Sequence, residues 1–299
     1  MSSSSALRFC ANISWLFTEL PDFPQRMRAA AEAGFRAVEA AWLYDVHPLE
    51  LRAAKELHDL DVVLINTPPG QETGDGKQKQ HPLPPTSSSS SCVAGDVTAG
   101  ELGLAALPGR EEDFERGLKE AVRYAAALDC QRIHIMAGRI PAGVDGGTAL
   151  QEMEAVFVRN LTYAAELLSE QGITGLIEPI NTRLTDARYF LSSPHHAAAI
   201  LKKVAKENIK LQMDVFHWQI MDGNLTHNIQ RYLPLLGHVQ VAQVPGRNEP
   251  DSAGEINYDY VFSTLEKLGY RGYVGCEYKP LGRTQEGLAW LRDYWTRKK

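Results

Sequence analysis

The sequence predicts a (β/α)8 barrel, and three observations carry that reading. Eight short apolar runs alternate with eight longer amphipathic stretches. The runs are nearly continuous in apolar residues, as strands are when a parallel sheet is covered by helices. Four successive runs end in a carboxylate or a carboxamide, and strand ends are where a barrel of this kind builds its site.

The elements follow in order. Leu7–Ile13 is the first strand, and Pro24–Ala33 the first helix, closed by Gly34. Ala37–Ala41 precedes the helix Pro48–Leu60, and Val62–Ile65 is the third strand. Glu111–Leu128 leads into Ile133–Met136, and Ala149–Glu170, ended near Gly172, leads into Thr174–Ile177. Pro194–Ala205 precedes Ile209–Met213, and Thr226–Leu233 precedes His238–Ala242. Tyr258–Leu268, ended by Gly269, feeds the last strand, Tyr273–Cys276, and Gln285–Trp295 closes the chain. Gly34, Gly172 and Gly269 sit where a left-handed residue ends a helix, each shortly before a strand. Each connection is long enough for the crossover that parallel neighbours require. A doubly wound sheet is the alternative, but its dinucleotide site needs a glycine-rich turn after the first strand, and Ile13-Ser14-Trp15-Leu16 has none.

The stretch between the third and fourth strands breaks the rhythm. Gln71–Ala106 holds Gly74-Asp75-Gly76, His81-Pro82-Leu83-Pro84-Pro85 and the serine run Ser87–Ser91. Too little of it is apolar to order itself, so it reads as a disordered insertion, either a lid over the site or inert. The remainder, within 1–299, reads as one domain.

Composition narrows the function. Hydrophobic residues at 44% and charged residues at 23% describe a globular protein with a sizeable core. A net charge of −6 without a basic stripe argues against a nucleic-acid partner. No apolar run is long enough to span a bilayer, and the serine-rich start lacks the pattern of a secretory signal. Cys10, Cys92, Cys130 and Cys276 lie too far apart for a zinc cluster or a dense disulfide framework. The expectation is a cytoplasmic protein with reduced thiols, acting on a small molecule, with no membrane partner and with homo-oligomer formation left open.

The strand ends carry the chemistry. The fifth reads Gly175-Leu176-Ile177-Glu178, the sixth Leu211-Gln212-Met213-Asp214, the seventh His238-Val239-Gln240-Val241 and the eighth Val274-Gly275-Cys276-Glu277. Like charges gathered at one mouth raise one another's pKa unless a cation compensates. A divalent metal is the economical solution, and oxygen ligands favour a hard ion such as Mg²⁺ or Mn²⁺ over Zn²⁺. Glu178, Asp214, Gln240 and Glu277 are the candidate ligands. His217, three residues after Asp214, and Arg247, in the loop after the seventh strand, are candidates to bind substrate, the arginine through a bidentate grip on a carboxylate. Asn12, Asn66 and His134 also lie at strand ends, and Asn66 and His134 are assigned to the wall of the substrate pocket.

Several stretches resemble the hydroxypyruvate isomerase family within the xylose-isomerase-like barrels, its animal members in particular. They are Ile65-Asn66-Thr67-Pro68-Pro69-Gly70, Glu178-Pro179-Ile180-Asn181, Met213-Asp214-Val215-Phe216-His217-Trp218-Gln219, His238-Val239-Gln240-Val241-Ala242 and Gly275-Cys276-Glu277-Tyr278. The resemblance runs from about Arg8 to Trp295 and departs from the family pattern at Gln71–Ala106, where the loop is longer. It implies interconversion of hydroxypyruvate and 2-hydroxy-3-oxopropanoate, with Glu178 and Glu277 as the acid/base pair and with Glu178, Asp214, Gln240 and Glu277 holding a divalent ion. Such an isomerisation passes a proton between neighbouring carbons through an enediolate, which needs two positioned acid/base groups and a stabilised oxyanion.

A ketose 3-epimerase uses the same barrel, metal and glutamate pair. A metal-dependent endonuclease fits less well, because the chain is acidic and lacks a multi-zinc histidine set. A non-catalytic barrel that binds a sugar acid gives no reason to keep three acids together.

Overall fold

Eight parallel strands close into a ring in chain order: β1 (Arg8–Asn12), β2 (Ala37–Ala40), β3 (Asp61–Asn66), β4 (Arg132–His134), β5 (Thr174–Ile177), β6 (Ile209–Asp214), β7 (Leu236–Val241) and β8 (Tyr273–Cys276), with β8 pairing back onto β1. This is the architecture read from the sequence. The computed structural model describes residues 6–69, 102–141, 143 and 146–298. Most of the predicted insertion, 71–101, lies outside the described residues.

The helices packed around the barrel are α1 (Phe23–Glu32), α2 (Pro48–Leu57), α3 (Glu111–Leu128), α4 (Gly146–Ser169), α5 (Pro194–Val204), α6 (Val215–Met221), α7 (Leu225–Tyr232), α8 (Tyr258–Lys267) and α9 (Ala289–Arg297). Local chemistry sets their starts. Asp22 caps α1 by accepting the Gln25 N–H, Ser193 caps α5 ahead of Pro194, and Asn257 caps α8. The predicted stops hold too, with Gly172 at φ 65° and Gly269 at φ 80°. One helix was not anticipated: α6 begins directly at the end of β6, with Asp214 as its cap.

Residues 102–106, expected to be disordered, are ordered. Gly103 forms a bridge with Ala137, and the Ala105 and Ala106 N–H groups donate to the carbonyls of Met136 and Ala137. Leu104, Ala105 and Ala106 are buried in the core. These residues are apolar and small, unlike the serine- and proline-rich stretch before them, so they gain by packing over the end of β4.

Inside the barrel, side chains form layers. Glu39 of β2 bonds to His238 and Gln240 of β7, strands that are not neighbours, so these groups meet across the interior. Gly275 of β8 makes room for them, because a Cβ there would lie 2.4 Å from Glu39 Oε1. Gly275→Ala should therefore destabilise the fold by about 1–3 kcal/mol, the usual cost of overpacking a core. Denaturant unfolding measures this, and a wild-type midpoint would show that the Glu39 layer is not tightly packed.

Candidate active site

The carboxyl ends of the strands deliver their polar groups to one mouth. Glu178 follows β5, Asp214 ends β6, Gln240 lies in β7 and Glu277 follows β8. Asp214 Oδ1 accepts the Phe216 N–H at 2.8 Å, which leaves Oδ2 for the site. There Arg247 Nη2 donates to Asp214 Oδ2 at 3.2 Å and to Glu277 Oε2 at 3.0 Å, tying two of the acids together.

Arg247 is held firmly. Its guanidinium lies over the Trp15 ring at 4.3 Å and over the Phe216 ring at 5.0 Å. Its backbone is left-handed, at φ 56°, a conformation that its own hydrogen bonds maintain: its N–H donates to the Gln243 carbonyl and its carbonyl accepts from Lys279, each at 2.7 Å. The loop after β7 therefore brings the predicted arginine into the site, already engaged with carboxylates.

Glu178 is buried. Its Oε2 accepts from Gln212 at 3.1 Å and lies 3.5 Å from His134 Nδ1, while its Oε1 has no hydrogen-bond partner. Burial, and then the charges of Glu277 and Asp214, push its pKa well above the ordinary value. Burial likewise lifts Glu277 to about 8, although Arg247 pulls it down. Burial raises Asp214 as well, against the pull of Arg247 and of the Phe216 N–H. Burial also keeps His134 neutral, with a pKa of about 3.

His217 sits with Glu178 and Asp214, its Nε2 3.8 Å from Glu178 Oε1 and 3.5 Å from Asp214 Oδ2. One ligating atom from each of the three lies within 4.8 Å of the others. The hydrogen bonds decide what His217 can do there. Its Nδ1 faces the Asn181 backbone N–H at 3.3 Å and the Asn181 side-chain nitrogen at 2.7 Å. The Asn181 oxygen in turn accepts from Leu184 and Thr185, which fixes the orientation of that amide. Nδ1 is thus the acceptor, and burial holds the ring neutral. The proton therefore resides on Nε2, which makes His217 a donor toward the site rather than a metal ligand.

Not every candidate joins this group. Asn66 pairs in register with His134, and its side chain contacts the Met136 sulfur at 3.9 Å. Among the described residues no hydrogen bond links it to the carboxylates. Sequence reasoning also passed over the groups that hold the site from below. Glu39, fully buried, accepts from Asn12 at 2.9 Å, Gln240 at 2.8 Å and Cys10 at 3.3 Å, and lies 2.6 Å from His238 Nε2. Burial pushes Glu39 upward, but His238, Gln240 and Cys10 outweigh it and hold its pKa below the ordinary carboxylate value. Asn12 carries the link onward by donating to Glu277 Oε1 at 3.2 Å, and Gln240 accepts from Gln212 at 2.7 Å. The one available signal for Glu39 was a lone acid in an otherwise apolar strand, Ala37-Val38-Glu39-Ala40.

A protein-family model described as a xylose isomerase-like TIM barrel matches residues 27–294. The chain belongs to this family. A relative from Danio rerio, provisionally named a hydroxypyruvate isomerase, is 60% identical over 97% of this chain and 96% of its own length. The 2-oxo-tetronate isomerase of Cupriavidus necator is 41% identical over 96% of this chain and 98% of its own. The hydroxypyruvate isomerase of Escherichia coli is 39% identical over 96% and 99%. The family resemblance read from the sequence is therefore correct.

For this family member, removing Glu39 strands several buried donors at once. Glu39→Ala should cost about 2–5 kcal/mol of stability, since each buried donor left unsatisfied costs about 1–3 kcal/mol. Equilibrium unfolding measures it, and a loss below about 1 kcal/mol, the size of one ordinary net hydrogen bond, would show that the network is not a support.

Proposed function

We propose that this chain is a hydroxypyruvate isomerase, interconverting hydroxypyruvate and 2-hydroxy-3-oxopropanoate by proton transfer through an enediolate. The observation that carries this reading is the pair of site glutamates with raised pKa, Glu277 at about 8 and Glu178 also well above the ordinary value. Two such carboxyls, which burial holds above the ordinary carboxylate value, can accept a proton and return one, as a shuttle between adjacent carbons requires. One glutamate removes the C3 proton of hydroxypyruvate and the other delivers a proton to C2, while the hydroxyl proton passes from the oxygen on C3 to the oxygen on C2.

The surrounding residues suit a short hydroxy-oxo acid. His217 Nε2–H donates to a substrate oxygen. Arg247, seated between Trp15 and Phe216, pairs with the substrate carboxylate, and His134 and Asn66 form the wall of the pocket. The donor set suits a hard divalent ion, Mg²⁺ or Mn²⁺: three carboxylates with raised or strained ionisation, one of them with an unpartnered oxygen, beside a carboxamide. Held by Glu178, Asp214, Gln240 and Glu277, that ion would supply Lewis-acid polarisation of the substrate's oxygens. The same proton transfer serves 2-oxo-tetronate, the compound in the name of the Cupriavidus relative. Assaying both compounds side by side ranks them as substrates. The reading places the enzyme in the cytoplasm, free of membrane and nucleic acid.

Glu178→Gln and Glu277→Gln should each lower kcat by about 10²–10⁴, the usual contribution of a positioned acid/base group. Circular dichroism confirms the fold, and a variant that keeps most of the wild-type kcat removes that residue from the mechanism.

Protonation gives a second test. The folded pKa of Glu277 is raised from 4.5 to about 8, so without a divalent ion its contribution to stability is lost as pH rises between those values. Ion binding needs the carboxylate and so displaces its proton. Affinity for Mn²⁺ should therefore climb as pH rises toward about 8, with proton release near pH 7. Calorimetry in two buffers of different ionisation enthalpy measures this, and pH-independent affinity without proton release contradicts it.

A further inference from the structure

We infer that the opposite, N-terminal mouth of the barrel is a second binding site, for a compact phosphate-type oxyanion. The strand alternation places cations there. Cys10, His134 and Gln212 point into the barrel, since they contact Glu39, Glu178 and Gln240. Side chains alternate along a strand, so Arg8, Arg132 and Lys210, each two residues earlier on the same strands, face inward one layer below. Arg132 confirms the geometry, because its Nε reaches from β4 to the Gly237 carbonyl of β7 at 3.1 Å.

These three cations border a cavity of about 440 Å³ whose lining also includes Tyr270 and Arg271 and contains no acid. Among the described residues, no carboxylate comes within ion-pair distance of Arg8, Arg132 or Lys210. The Arg8 guanidinium donates to the Arg271 carbonyl and lies 4.4 Å over the Tyr273 ring. The nearby acid Asp61 accepts from the Tyr273 hydroxyl instead. Gly237 lets the Lys210 stem pack close against β7, since a Cβ there would lie 2.5 Å from Leu176 Cδ2 and 3.0 Å from Lys210 Cβ.

Arg132 and Lys210, half-buried, and Arg8, exposed at the rim, repel one another without a counter-charge, and a multiply charged oxyanion removes that cost where a halide or a single carboxylate offsets only part of it. Two guanidinium groups and an ammonium suit phosphate oxygens, the arginines by paired N–H donors and the lysine as a point charge. The volume admits phosphate alone or on a small metabolite. Nothing in the isomerase chemistry uses this end of the barrel, so the inference is independent of the catalytic reading.

Titration calorimetry of the magnesium-loaded full chain with inorganic phosphate and with ribose 5-phosphate tests this. Both probes should bind, Lys210→Glu should weaken them by more than about tenfold, as loss of a charge-assisted contact does, and Arg247→Ala should leave them unchanged. Tighter binding of ribose 5-phosphate supports a phosphorylated metabolite, and equal binding supports free phosphate. Lys210→Ala, which removes no hydrogen bond described in the structure, should weaken binding in the same direction, with an unchanged melting curve as the check on its fold. No binding by the wild type up to about 10 mM, or binding that survives Lys210→Glu, or binding lost in Arg247→Ala, overturns the proposal.

Discussion

Three carboxylates share one mouth of a closed barrel, and their repulsion has to be offset before the fold can close around them. Glu178, Asp214 and Glu277 end strands whose register is fixed by the ring, so they cannot move apart. Arg247 supplies one positive charge, bridging Asp214 and Glu277. Among the described residues it forms an ion pair with no third acid, and burial keeps the glutamates raised. That residual imbalance is what the proposed proton transfer and the proposed divalent ion would both relieve.

The same constraint explains the polar column beneath the site. A carboxamide or a carboxylate deep in a barrel is costly unless all its groups are bonded. Glu39 gathers Asn12, Gln240, His238 and Cys10 into one cluster in which both of its oxygens are bonded, and Asn12 and Gln240 then present their remaining capacity to Glu277 and to Gln212. The position of Glu277 thus depends on an ionised group in the layer below it. Above it, α6 uses Asp214 as its cap and so orients that carboxylate and His217 in one stroke.

Much of this was legible in the sequence, because strand alternation is a one-dimensional signal. The eight runs gave the barrel, and the polar residues closing four of them gave the carboxylates and Gln240. What escaped the reading depends on contacts between distant strands. Glu39 lies far in the chain from His238 and Gln240, and a single acid in a four-residue strand has no periodicity to mark its role. Helix α6 has seven residues, too few for an amphipathic pattern to register. The seat of Arg247 needs Trp15 from the loop after β1, and the donor role of His217 follows from Asn181 on another strand's loop. Residues 102–106 were grouped with the low-complexity stretch before them, yet their apolar side chains belong to the core.

The central claim is that the two glutamates pass a proton between adjacent carbons. The most direct test follows hydroxypyruvate by NMR in D₂O with the metal-reconstituted protein, beside the Glu277→Gln variant. The account predicts 2-hydroxy-3-oxopropanoate carrying solvent deuterium with the wild type, and neither product nor exchange with the variant. Product formed with no deuterium at C2, or equal exchange by the variant, would contradict it.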